Sequence, residues 1–180
     1  MPAILKGKNL QLRPASIDDV KARLALGNPA EIIEMFGINP SDVRPMTRDD
    51  AAEWVRKLIE HAHAWVIEIH DRLVGEIRLD HVDSHDQRAS MAIGIYDPEL
   101  IGKGLGSEAM LLLLHHAFTD LTLHRIGVRV LAYNHRAIRA YEKCGFVIEG
   151  REREAAFVNG AWHDDLLMGL LAHEFLSRRA

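Results

Sequence analysis

Three glycines recur at alternate positions in Gly102-Lys103-Gly104-Leu105-Gly106-Ser107, directly before the apolar run AMLLLLHHAF. Glycine has no Cβ, so such a backbone can approach a ligand closely, and the first N–H groups of a following helix have no carbonyl partner within it. The combination suits a phosphate or pyrophosphate. Two familiar phosphate loops are excluded. A nucleotide P-loop needs Ser or Thr directly after Gly-Lys, whereas Lys103 is followed by Gly104. The dinucleotide fingerprint, begun at Gly102 and Gly104, needs glycine at position 107, which is Ser107. A flexible strand-to-helix connection is the structural alternative, and the neighbouring residues must decide.

A second constellation lies in NHRAIRAYEKCGF. Asn134 and Tyr141 are seven positions apart, two helical turns, so their side chains point within about 20° of each other. An amide and a phenol on one helix edge could both meet a ligand. Asn134 is also suited to an N-cap, and Tyr141 to packing with Ala137 and Ile138, the commoner duty of a buried tyrosine. Cys144 has no evident base beside it and reads as a packed thiol. The eleven histidines contain no H-E-x-x-H pattern, and no metal is expected.

The elements that must position these groups can be traced along the chain. NLQLR, ending at Pro14, predicts a first strand; SIDDVKARLALG predicts a helix capped by Ser16 and stopped by Gly27. Residues 28 to 46 carry Pro29, Pro40 and Pro45 and read as broken turns. Thr47 with Asp50 caps a helix whose Ala51, Trp54, Val55, Leu58 and Ile59 share an apolar face. AWVIEIHDRLVGEIRLD reads as two strands turning at Asp71-Arg72, and ASMAIGIYD as a third. After the glycine loop and its helix come the strand HRIGVRVLAYN, a helix closed by Gly145, and two strands turning at Asn159-Gly160. Strands and helices interleave without a strict βαβ rhythm, which predicts an α+β fold, a mixed sheet packed by helices.

Composition bounds the setting. A chain of 180 residues predicts a single domain over residues 1–180. Its 22 Lys+Arg against 26 Asp+Glu, formal charge −4, provide no general attraction for nucleic acid. One cysteine, no signal-like apolar N-terminus and no apolar run of membrane length lead to the expectation of a soluble cytoplasmic protein without membrane or nucleic-acid partners.

The glycine loop, its helix, the strand HRIGVRVLAYN and the set Asn134, Ala137, Tyr141, Lys143, Gly145 and Phe146 resemble the acetyl-CoA-binding half of the GNAT superfamily of N-acetyltransferases. The opening LRPAS, the segment YEKCGF and the tail FVNGAWHDDLLMGLL are similar to the branch that holds ribosomal-protein N-terminal acetyltransferases and spermidine acetyltransferases. The resemblance implies a GNAT fold, with a mixed, mostly antiparallel sheet of about seven strands and helices on both faces. It implies acetyl-CoA as co-substrate and an amine acceptor. The family loop opens with Gln or Arg where this chain has Ile101, so backbone amides from Gly102, Lys103, Gly104, Leu105, Gly106 and Ser107 would carry the pyrophosphate, with Lys103 near the 3′-phosphate.

By the same resemblance, backbone groups of Ile95 and Tyr96 would meet the pantetheine and thioester, Asn134 would orient the coenzyme, and Tyr141 would be the acid for the leaving thiolate. Ala92 stands where many members carry a glutamate base. Glu76 is the first replacement, with His81, His163 and Asp164 as further candidates. The acceptor pocket would form from residues 28 to 46, with Met35, Phe36 and Trp65 as walls and Glu31 or Glu34 as amine partners. A peptide N-terminus, a polyamine and an aminoglycoside-type antibiotic all stay open as acceptors, and a homodimer is the family expectation. A non-catalytic acyl-CoA-binding regulator is the reading from another class, favoured by the missing glutamate and opposed by Tyr141.

Overall fold

The structure is a computed structural model and describes residues 2–178. The chain runs β1 (Leu5–Lys6), β2 (Gln11–Arg13), α1 (Asp19–Leu26), α2 (Ala30–Ile33), two 3₁₀ turns at Glu34–Phe36 and Pro40–Asp42, α3 (Arg48–Glu60), β3 (Ala64–Ile69), β4 (Arg72–Asp83) and β5 (Arg88–Ile95). It continues with a 3₁₀ turn at Pro98–Leu100, α4 (Leu105–Thr119), β6 (Arg125–Leu131), α5 (His135–Cys144), β7 (Val147–Val158), β8 (Ala161–Leu171) and α6 (Ala172–Ser177). One sheet holds all eight strands in the order β1-β2-β3-β4-β5-β6-β8-β7. Every neighbouring pair is antiparallel except β5 with β6.

The sheet is α+β, as its sequence pattern predicts, and helices cover both faces. Strand alternation divides the core. Trp65 and Ile67 of β3, Val74 and Ile77 of β4 and Ile126 of β6 pack with Leu113 and Leu114 of α4 and Ile138 of α5. On the other face Ala64, Val66 and Leu73 meet Leu58 and Trp54 of α3 and Ala22 and Leu26 of α1. α3 begins with the expected reciprocal cap, Thr47 accepting from the Asp50 N–H and Asp50 from the Thr47 N–H.

Several local expectations are corrected. The eighth strand is β1, only two residues long, whose Leu5 pairs with Leu12; so short a segment carries no readable alternation. Ser16 does not cap α1: its N–H donates to Asp19 Oδ2 (2.8 Å), and Arg13 grips both Asp19 oxygens at 2.7 and 2.9 Å. The β3–β4 turn is centred on His70-Asp71, both at positive φ (49° and 60°), one residue earlier than expected. Ile59 lies 50% exposed, off the buried stripe of α3. Strand β8 gives way to helix at Ala172, where Glu174 accepts the Leu171 N–H at 3.1 Å.

The feature that makes the site is a divergence. β5 and β6 pair only from Arg88–Ser90 to Arg125–Gly127. Beyond Ser90, β5 stays with β4 as far as Ile95, while β6 stays with β8 as far as Leu131. A wedge-shaped gap opens in the middle of the sheet. No helix among the described residues is long and apolar enough to cross a membrane.

Candidate active site

The glycine loop sits where the wedge is open. Gly102 (φ 80°) and Gly104 (φ 81°) both occupy the left-handed region, which a side chain with a Cβ disfavours by about 1–2 kcal/mol. Gly104 is the N-cap of α4, and the first bond across this turn runs from the Glu108 N–H to the Gly104 carbonyl (3.0 Å). The amides of Leu105, Gly106 and Ser107 therefore precede the helical ladder and carry the helix's partial positive charge. A cleft of about 720 Å³ runs through the gap and is lined by Gly102, Gly104, Leu105, Gly106 and Ser107. Lys103, expected beside them, does not line it. The cations that do line it are Arg129 of β6 and, at helical spacing on α5, Arg136, Arg139 and Lys143. Basic side chains and unpaired amides on one cleft suit the phosphates of a coenzyme A.

The β5 edge offers the next contact. The Tyr96 N–H donates to the Val74 carbonyl at 2.9 Å, so that amide is spent on β4 and is not available to a ligand, contrary to expectation. Since successive residues of a strand face opposite sides, Ile95 directs its N–H and carbonyl into the gap. Ile95 lines the cleft, while the Tyr96 ring lies buried on the α1/α3 face.

Asn134 and Tyr141 both line the cleft. Asn134 caps α5 by accepting the Ala137 N–H at 3.1 Å, and its Nδ2 lies 3.5 Å from the Met35 carbonyl. It thus ties α5 to the 3₁₀ turn at Glu34–Phe36. Tyr141 packs edge-on against Phe146 at 5.6 Å, and burial, with Cys144 nearby, pushes its phenol up to about 12. The Tyr141 hydroxyl has no hydrogen-bond partner among the described residues, and Tyr141 lines the cleft. Cys144 is buried behind it, its Sγ 3.7 Å from the Ser107 carbonyl.

Other expected residues lie elsewhere. Glu76 does not line the cleft. Its Oε1 accepts from the Tyr96 hydroxyl (3.2 Å) and Arg78 Nη1 (2.8 Å), and burial holds its carboxyl above the ordinary 4.5. Around this layer Arg23 stands over the Tyr96 ring at 4.3 Å and Trp54 meets it edge-on at 6.1 Å. His81 is exposed at positive φ. His163 packs its ring on Tyr133 at 4.7 Å, and Asp164 pairs with Arg151 (2.7 Å) and the Glu154 N–H (2.9 Å). Met35 and Phe36 are walls, as expected, but Trp65 is 0% exposed and donates its indole N–H to the Ala3 carbonyl at 2.8 Å. Glu31 and Glu34 do not line the cleft; Glu34 Oε1 accepts from Asn159 at 2.8 Å. The acidic residue that does line it is Asp165, one position beyond the sequence candidate. The signal was present in the alternation of β8, but a register shift on β7 hides it.

Comparison with known proteins gives a consistent result. Residues 9–147 match the family model described as Acetyltransferase (GNAT) domain. The spermidine N(1)-acetyltransferase of Escherichia coli (strain K12) is 27% identical over 169 residues, covering 94% of this chain and 89% of that protein. A putative ribosomal N-acetyltransferase of Bacillus subtilis is 28% identical over 141 residues, 78% of this chain and 76% of that one. The crystal structure of spermidine N-acetyltransferase from Vibrio cholerae in complex with CoA and spermine superimposes with a TM-score of 0.79 at 29% identity, over 94% of this chain and 99% of that chain. With its glycine-opened helix α4, a split sheet and a tyrosine lining the gap, and with residues 9–147 matching the family model, this chain belongs to the GNAT acetyltransferase family, enzymes that take their acetyl group from acetyl-CoA.

Proposed function

We propose that the chain acetylates a primary amine by direct attack of the neutral nitrogen on the acetyl thioester. The observation that carries this reading is Tyr141, whose hydroxyl has no hydrogen-bond partner among the described residues, on the wall of a cleft that is also lined by the first residues of α4 and by Met35 and Phe36. Acetyl-CoA supplies the activated acetyl group and a thiolate leaving group. The amides before the α4 ladder and the α5 cations hold its phosphates, and Ile95 pairs with its pantetheine arm. Cys144, buried and turned toward Ser107, is not placed to form an acyl-enzyme.

The pKa of Tyr141 sets what it can do. A thiol ionises near about 8.5, well below a phenol held at about 12. Full proton transfer from this phenol to a thiolate is therefore uphill. Tyr141 acts as a neutral hydrogen-bond donor that stabilises charge growing on sulfur.

For the acceptor, the spermidine acetyltransferases among the relatives support a small aliphatic polyamine. The ribosomal relative supports the α-amine of a protein N-terminus as the second reading. Thiol release from acetyl-CoA, measured with spermidine, short free-N-terminus peptides and aminoglycosides, tests both. Release that depends on Tyr141 and on one amine class is expected; no release with any class overturns the reading.

A further inference from the structure

Asp165 is the acidic residue of the cleft wall, and we propose that it receives the ammonium nitrogen of the acceptor, displacing the Arg129 guanidinium. The inference rests on the amine-acetylation reading and names the contact that this reading lacks. Asp165 lies on β8 opposite Leu131, the last residue by which β6 pairs with β8. It therefore stands at the open end of the wedge, past Gly127, where β6 leaves β5. Leu131, Arg129 and Asp165 share one sheet face by register, and all three line the cavity that Tyr141 also lines.

The ion pair is lopsided. Asp165 is only 3% exposed, and among the described residues its carboxylate has one charged partner, Arg129 Nε at 3.1 Å from Oδ2. The Arg129 side chain is 66% exposed. A buried carboxylate needs a cation, because ionised and unpaired it forfeits its hydration. The guanidinium itself stays largely solvated, so it keeps its hydration when it leaves, provided a second cation takes its place at the carboxylate. The protein thus fixes the anion in the wall and leaves its counter-charge exchangeable. A primary ammonium is compact and carries three donors, which fits a carboxylate approached from one side. Glu152, opposite Asp165 on β7, and Asp164 beside it deepen the negative potential, while Arg129 is the opposing cation. Burial foremost, with Glu152 and Asp164, holds the Asp165 carboxyl above its ordinary value against the opposing pull of Arg129.

The same contact accounts for the proton that must leave before attack. Transfer of one proton from R–NH₃⁺ to the Asp165 carboxylate yields R–NH₂ and a neutral acid. Charges of +1 and −1 become 0 and 0, the state that burial favours. The cleft wall is basic along α5, through Arg136, Arg139 and Lys143, and acidic on β8, through Asp165. An anionic coenzyme and a cationic acceptor thereby find oppositely charged partners on different elements of the wall.

The test is calorimetric titration of the CoA-saturated chain at pH 8 with two amine probes, spermidine and a free-N-terminus alanyl peptide. Each is matched to an uncharged counterpart: 1,8-octanediol, and the peptide bearing hydroxyl in place of its α-amine. One amine probe is expected to bind, at least tenfold more weakly to Asp165→Asn, with partial recovery in Asp165→Glu and no change for the uncharged counterpart. Arg129→Gln, which removes the competing cation, is expected to bind the amine at least twofold more tightly. Equal binding by Asp165→Asn, equal weakening of amine and counterpart, weakening by Arg129→Gln, or no binding of either amine to the native chain each overturns the proposal. Thiol release recorded alongside separates the two ideas. Ammonium binding through Asp165 without thiol release overturns acetyl transfer and upholds the site; release untouched by Asp165→Asn does the reverse.

Discussion

The Tyr96 hydroxyl donates to Glu76 Oε1 at 3.2 Å while Arg78 holds the same oxygen from its other side at 2.8 Å. This pair belongs to the layer under α1 and α3, and it turns a residue that the sequence nominates as a base into a structural one. A carboxyl held above 4.5 by burial keeps a proton that the unfolded chain has already released. Its stabilising share is present at acid pH and lost as pH rises from about 4.5 through the folded-state value. Glu76→Gln should therefore change melting temperature more favourably at pH 8 than at pH 4.5, measured against the native chain. An identical difference at both pH values would refute this. Turnover of Glu76→Gln should stay within about threefold, a change in barrier below about 0.7 kcal/mol.

Tyr141→Phe removes one hydrogen bond to a developing thiolate. Bonds to charged groups contribute about 1.5–3 kcal/mol, so kcat should fall roughly ten- to a hundredfold. Acetyl-CoA affinity, set by amides and cations elsewhere, should hold. With the phenol at about 12, the native enzyme should show no alkaline loss of rate from Tyr141 ionisation up to about pH 10. A rate profile with a tyrosine-dependent fall below that pH would contradict the donor role.

At Gly104 an added Cβ meets nothing within 4 Å, yet φ is 81°. The penalty is conformational alone. Gly104→Ala should cost about 1–2 kcal/mol of stability or of acetyl-CoA binding, and Gly104→Asn less, since Asn visits the left-handed region more readily. Chemical denaturation and coenzyme titration together capture the loss wherever it falls. Equal penalties for Ala and Asn would point to a steric cause instead.

Trp65 separates core from pocket. Its indole N–H reaches the Ala3 carbonyl and its ring meets His116 edge-on at 5.7 Å. Trp65→Phe should destabilise by about 1–3 kcal/mol with the amine KM unchanged. A raised KM at unchanged stability would restore Trp65 to the acceptor wall.

What was legible in the sequence was local. The glycine loop announces its backbone conformation through residue type, and Asn134 and Tyr141 announce a shared face through helical spacing; neither depends on distant partners. The long strands were readable in number but not in facing. Asp164 and Asp165 differ by one position, so they take opposite faces of β8, and the shift between Glu152 and Ala156 on β7 decides their surroundings. Glu76 failed for the same reason in reverse: alternation puts it on one face, and only the tertiary packing of Tyr96 and Arg23 shows that this face is sealed. The segment 28 to 46 was unreadable because its structure is mainly a four-residue helix and two 3₁₀ turns, too short to carry a period.

The three-residue contact between β5 and β6 has a mechanical consequence. The sheet is two leaves, β1 to β5 and β6 with β8 and β7, hinged along one short seam and spanned on one face by α4. On the proposed reading, a coenzyme arm lying against β5 in the gap would be a stitch between the leaves. Ligand occupancy would then couple the two leaves, and amide exchange on both flanks of the gap should slow together when the cleft fills.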